Sequence, residues 1–391
     1  MKKVAFALGL LGLSVSAAWA QTTVQLYGIL DGGVRITNNE GAAGSNSGAK
    51  VTRVIGGGMS SSRFGLNVSE DLGDGLKALA NLEHRVNLDT GAQQYPTAAS
   101  VAGPAGPFWQ QSWVGLQGGF GRITLGRQYN VLFDLVTTSY ASYPYSPYFD
   151  AYKPEIGLAL TARADNMVKY LIEQGPFRAE LQVSAGEGNA SYGGKTVGGL
   201  VRYSADGLTL GVAQQSYEFG SGKKLKGTTF GGSYRTGPWY MKVGYGLNKV
   251  DAGITTADAL YLNNYLFWGT FGNGGIGYNQ PYGTPAQIAL SLKANKRQLA
   301  TAGVGYQLTP QLNIGGHYYK GKQTGTDASV EVKADFLTLA ADYAFSKRTD
   351  AYLEFDHTKL DGVNASLNGS NGAPNGKKTR DGMTIGIRHR F

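Results

Sequence analysis

The nine residues MTIGIRHRF (Met383–Phe391) decide how the rest of the chain is read. Successive side chains of a strand point to opposite faces. Met383, Ile385, Ile387, His389 and Phe391 therefore share one face, and Thr384, Gly386, Arg388 and Arg390 share the other. The same alternation recurs upstream. Phe177, Ala179, Leu181, Val183 and Ala185 alternate with Arg178, Glu180, Gln182 and Ser184. Trp239, Met241, Val243, Tyr245 and Leu247 alternate with Tyr240, Lys242, Gly244, Gly246 and Asn248. Leu337, Leu339, Ala341, Tyr343 and Phe345 alternate with Thr338, Ala340, Asp342 and Ala344. A soluble sandwich also alternates, but its core face is bulky and continuous. Here the second face is mostly small or charged, as expected beside water, and the apolar face suits lipid.

Turn signals divide the chain evenly. Short ones fall at Glu70–Gly75, Gly118–Gly121, Gln174–Pro176, Ala205–Gly207, Thr236–Pro238, Thr309–Gln311 and Ser346–Thr349. Longer polar or Gly-rich segments lie near 37–50, 91–107, 129–163, 187–193, 218–224, 249–294, 323–332 and 361–377. Seven short turns and eight long loops separate sixteen strands. Short connections on one side and long ones on the other fit a transmembrane antiparallel β-barrel. The expected fold class is all-β, and a barrel of this size keeps an aqueous channel.

Composition narrows the function. The chain has 59 Gly in 391 residues, about twice the usual ~7%, without the strict repeat of collagen. Zero Cys removes a disulfide framework, a thiolate metal site and a Cys nucleophile. Residues 1–20 carry Lys2-Lys3, an apolar run from Val4 to Val15 and Ala18-Trp19-Ala20, the pattern of a cleaved signal peptide. The barrel domain is then 21–391, and losing Lys2 and Lys3 lowers the net charge from +9 to +7. Parity puts His84, His357 and His389 on the outer face, apart from His317, so no His cluster for a metal is expected. No base-oriented nucleophile is evident either. The reading is a non-enzyme without cofactors. Its basic residues are dispersed through strands rather than run together, which speaks against a nucleic-acid partner.

Several stretches resemble one family. TVQLYGILDGGV (Thr23–Val34), SSRFGLNVSEDLGDGLKAL (Ser61–Leu79), WVGLQGGFGRITLGRQYN (Trp113–Asn130), RADNMVKY (Arg163–Tyr170) and the terminal strand are similar to general diffusion porins of the Gram-negative outer membrane, most of all the β-proteobacterial trimeric porins. The resemblance implies a homotrimer of sixteen-stranded barrels, each passing small hydrophilic solutes and ions passively. It implies an outer-membrane setting of lipid and lipopolysaccharide, and a terminal Phe391 read by the barrel-insertion machinery. It also implies a third long loop folded into the lumen, whose carboxylates face basic wall residues across a narrow eyelet.

That third loop runs from about Tyr129 to Ala162. Its PEIG resembles a PEFG motif of related porins, which assigns Glu155 to the acidic side, with Asp150 and Asp134 as further candidates. Arg63 matches the Arg of the family's S-R-x-G strand, and Arg163 matches the Arg that follows the eyelet loop. Strand parity adds Arg85, with Arg35 and Lys169 as outer members of the basic set. Relatives often carry Arg shortly before the aromatic-V-G-L stretch, where this chain has the neutral Gln110, so Arg85 is expected to compensate. Net charge and these arginines point to a weak anion preference. Tyr140, Tyr143, Tyr145, Tyr148 and Tyr152 either pin the loop to the wall or form a binding track, the alternative of a substrate-selective channel. Trp239, Tyr245, Tyr306, Tyr343 and Phe391 are expected in interfacial girdles, and Gly28 on a flat outer face that would admit a neighbouring subunit.

Overall fold

The computed structural model describes residues 22–41, 49–93, 109–139, 162–186, 194–265, 289, 292–367 and 375–391. Its strands are β1 (Thr22–Thr37), β2 (Val51–Gly56), β3 (Arg63–Gly73), β4 (Leu76–Arg85), β5 (Trp109–Gly118), β6 (Gly121–Tyr129), β7 (Arg163–Gln174), β8 (Phe177–Ser184) and β9 (Lys195–Ala205). They continue as β10 (Leu208–Glu218), β11 (Lys224–Thr236), β12 (Trp239–Val250), β13 (Ala294–Gln307), β14 (Leu312–Gly325), β15 (Val332–Ala344), β16 (Thr349–Asp361) and β17 (Thr379–Arg390). Both β2 and β3 pair with β1, at Gly32–Thr37 and Thr22–Ile29 respectively, so they are two halves of one wall strand. The described residues thus form sixteen wall strands, each antiparallel to its chain neighbours. β17 returns to β1 from Ile29↔Arg390 to Thr37↔Gly382 and closes the barrel.

All seven short turns and all eight long connections fall where the punctuation puts them. The turn between β9 and β10 shows the local cause. Asp206 and Gly207 both take positive φ, 50° and 79°, the Asp-Gly pair that a two-residue hairpin of matching twist requires.

The outer face is an apolar band. Leu181, Val183, Val243, Ile385 and Ile387 are all exposed, on the parity that alternation assigns. Such a surface would be an aggregation liability in water and suits lipid. At the short-turn rim, Trp239 meets Tyr306 at 4.6 Å and Tyr343 meets Phe345 at 5.4 Å between ring centroids. Tyr245 departs from the girdle expectation: it stands in mid-strand, paired with Phe230. Gly28 departs as well. Its flat face is occupied by the ring of Phe391, and the two residues exchange backbone hydrogen bonds of 3.0 Å. The glycine makes room for the Phe391 ring.

The lumen is less wet than expected. α1 (Val131–Ser139), the first part of the third long loop, lies against the inner faces of β8–β11. Its Val131 and Leu135 sit over Gly198 and Gly211, where any side chain would collide with them. Leu200, Ala213, Tyr217 and Leu225 extend this apolar core inside the barrel, and Ala259 and Leu262 of α2 (Thr256–Tyr265) join it. Some small inward residues therefore serve packing, not solvent. A second inner cluster, with Leu299, Tyr319, Phe336 and Leu360, lines β13–β16.

Candidate pore constriction

Three arginines converge on one carboxylate. Arg63 opens β3, Arg85 ends β4 directly across from it, and Arg163 opens β7. Their nitrogens stand 3.4, 3.5 and 3.6 Å from the Glu83 carboxylate. Tyr27 donates to Glu83 at 3.3 Å. Arg85 and Arg163 each donate to the Tyr129 hydroxyl at 3.1 Å, and the Arg163 guanidinium lies over that ring at 4.6 Å. Three cations and one anion give these four residues a formal charge of +2. Of the three, Arg63 is the most open to the lumen, its side chain 27% exposed.

The other two basic candidates lie elsewhere. Lys169 of β7 donates to Asp134 of α1 at 2.5 Å and to the Tyr129 carbonyl at 3.1 Å, with Glu180 3.7 Å away. Asp134, named above as an acidic candidate, and Lys169 thus form a buried pair that ties the loop to the wall on one side. They do not face each other across a gap. Arg35 forms a two-pronged pair with Asp356 of β16, at 2.7 and 2.9 Å, and donates to Thr384 at 3.0 Å. Glu155 and Asp150 lie outside the described residues, as do the loop tyrosines and residues 1–20. Gln110 is buried beside the bulge in β5, and Arg85 does stand in the arginine group.

An acidic sector was missed. Asp350, Glu354 and Asp356 of β16, Asp342 of β15 and Asp31 of β1 all point inward and are buried. Arg388 contacts Asp350 at 3.0 Å and Asp342 at 3.9 Å, and Arg390 contacts Asp350 at 2.7 Å. Among the described residues the Glu354 carboxylate has no hydrogen-bond partner. Five carboxylates against Arg35, Arg388 and Arg390 give a formal charge of −2. The signal was present in DAYLEFDHT (Asp350–Thr358), whose acids share one parity while Ala351, Leu353 and Phe355 share the other. Separated formal charges around a narrow lumen with low-dielectric walls set up a field across it.

A closed sixteen-stranded wall with a lipid-suited outside, a charge-lined inside and a helix packed on its inner face defines a membrane channel of the porin type. The comparisons agree. The Gram-negative porin family model matches residues 7–363. Outer membrane porin protein 32 of Delftia acidovorans is 30% identical over 348 residues, 83% of this chain and 92% of that protein. Major outer membrane protein P.IB of Neisseria meningitidis serogroup B is 26% identical over 355 residues, 90% of this chain and 91% of that protein. Among solved structures, an anion-selective porin from Comamonas acidovorans superposes with a TM-score of 0.67 at 24% identity, over 95% of this chain and all of that one. The trimer form of OmpT from Vibrio cholerae gives 0.61 at 16% identity, over 95% and 99%. The chain belongs to the Gram-negative porin family, and is a diffusion porin of the outer membrane.

Proposed function

We propose that the channel passes small hydrophilic solutes passively, with a preference for anions, as a homotrimer. The observation that supports it most is the convergence of Arg63, Arg85 and Arg163 at one level of the lumen. An anion passing this level trades part of its hydration for guanidinium donors, whereas an apolar solute loses hydration with nothing in return. Weak, shared contacts let it leave again, and no chemical step is involved. Glu155 and Asp150 are assigned to the loop side of the same eyelet. The related porin described as anion-selective and the trimeric form of OmpT support preference and assembly respectively. Export is assigned to residues 1–20, and recognition by the insertion machinery to the terminal strand with Phe391, in a membrane of lipid and lipopolysaccharide.

The test is the reversal potential of purified protein in planar bilayers across a KCl gradient. An anion-side potential that shrinks in Arg63→Ala and Arg85→Ala is expected, and one that grows in Glu155→Gln. A cation-side potential overturns the selectivity, and a protein without conductance overturns the channel. Co-migration of tagged and untagged copies as a heat-sensitive trimer checks assembly.

A further inference from the structure

Residues 57–62, GGMSSS, interrupt the wall strand between β2 and β3. They do not bulge outward. Gly58 packs so closely on the Tyr352 hydroxyl that a methyl group there would collide with it. Tyr352 belongs to β16, so the segment crosses the inner faces of β1 and β17, strands about 4.8 Å apart, to reach it. Gly386 of β17 is bare at the crossing for the same reason. Met59 and Ser62 are fully buried within this strap, and Ser60 remains partly open.

One side chain gathers it. Asp31 points inward from β1 and is completely buried. Its carboxylate accepts from the backbone N–H groups of Gly58 (3.1 Å), Met59 (3.0 Å) and Ser60 (2.7 Å), and from the Tyr352 hydroxyl (2.6 Å). Its own N–H donates to Ser62 Oγ, and its carbonyl accepts from that hydroxyl and from Gly57 N–H. Beyond this node the strap links the two charged sectors. Ser60 Oγ accepts from Arg388 at 2.7 Å on the acidic side. Ser61 accepts from Arg63 through its carbonyl and from Arg85 through its hydroxyl, both at 3.4 Å, on the basic side.

We propose that residues 57–62 are a second constriction, built from the wall and independent of the third loop, with Asp31 as its positioning residue. The strap takes lumen cross-section beside the eyelet. It also holds Arg63 and Arg85 away from the carboxylates of β16, towards which attraction would otherwise draw them, and so preserves the charge separation. The proposal rests on the reading of the arginine group as the eyelet.

Single-channel recording on wild type and Asp31→Ala tests it. Release of the strap raises conductance about 1.5-fold, and release of the arginines moves the reversal potential towards zero. Asp31→Glu, which keeps the carboxylate, restores part of both. An Asp31→Ala channel with native conductance and reversal potential overturns the proposal. Should Asp31→Ala fail to assemble, Ser60→Cys in the otherwise native chain decides, because the protein has no other thiol. A cationic methanethiosulfonate reagent lowers its current in steps if the strap borders the conducting path, and unchanged current overturns the idea. Wild-type protein that conducts without anion preference defeats the eyelet reading instead, and is seen before any variant is compared.

Discussion

Of the described segments that lie inside the wall, α1 and the strap at 57–62 are held by different physics. α1 rests on Gly198, Leu200, Gly211 and Ala213 through Val131, Leu132 and Leu135. Apolar burial has no direction and scales with area, so such an anchor tolerates reshaping. The strap at 57–62 rests on one carboxylate that accepts four hydrogen bonds. Losing that acceptor leaves several donors in a buried place at once. One anchor is graded and the other is steep, so a pore can keep one side adjustable and the other fixed.

The largest effect is expected at the ion pair of the apolar anchor. Lys169→Met leaves Asp134 without its paired cation, while Glu180 keeps Arg178, and breaking a buried pair costs about 3–5 kcal/mol. Urea unfolding of the refolded protein should show it, and Asp134→Asn in the same chain should recover part. No loss would mean that packing alone holds α1. The next test is the steepness itself. Asp31→Asn keeps shape but weakens charge-assisted bonds that contribute about 1.5–3 kcal/mol each. Leu135→Met keeps volume and costs less than about 1.5 kcal/mol. Equal unfolding midpoints for these two variants would break the distinction. A smaller effect should follow Gly198→Ala. Its added methyl would stand 2.9 Å from both the Gln214 carbonyl oxygen and Val131, and of these the side chain can give way. Overpacking of this kind costs typically about 1–3 kcal/mol, and the part due to Val131 should fall in a Val131→Ala background while the contact with the Gln214 carbonyl remains.

The wall was legible in the chain because its causes are local. Parity and turn residues act over two to ten positions, which is why strand faces and every connection between strands could be read. The inward folds are set by contacts across the barrel. Asp31 and Ser60 are 29 residues apart, and Asp31 and Tyr352 are 321 apart. No periodicity encodes such meetings. GGMSSS looks like an ordinary loop until the carboxylate that organises it is seen. The same limit explains the basic set. Parity correctly turned Arg35 and Lys169 inward, but their partners Asp356 and Asp134 lie in other elements, and those partners put both residues outside the arginine group.

The smallest effect belongs to a carboxylate that gathers its donors in water rather than in a buried place. Asp327 accepts from Ser329 N–H at 2.8 Å, caps the short helix Ala328–Val330, and pairs with Lys293 at 3.0 Å. Its bonds from Ser329, and then Lys293, lower its pKa to about 2. A depressed carboxyl stabilises the folded loop fully above the unfolded value of about 4, and that contribution is lost as pH falls through about 2. The Ser329 amide resonance should therefore titrate with a midpoint near 2, and Asp327→Asn should abolish the titration while keeping the cap. Because water competes for every one of these groups, neither acid nor Asp327→Ala should shift global unfolding measurably. If Asp327→Ala destabilised the barrel as much as Asp31→Asn, the steepness of the strap could not be ascribed to burial, and the number of donors gathered by one carboxylate would be its cause.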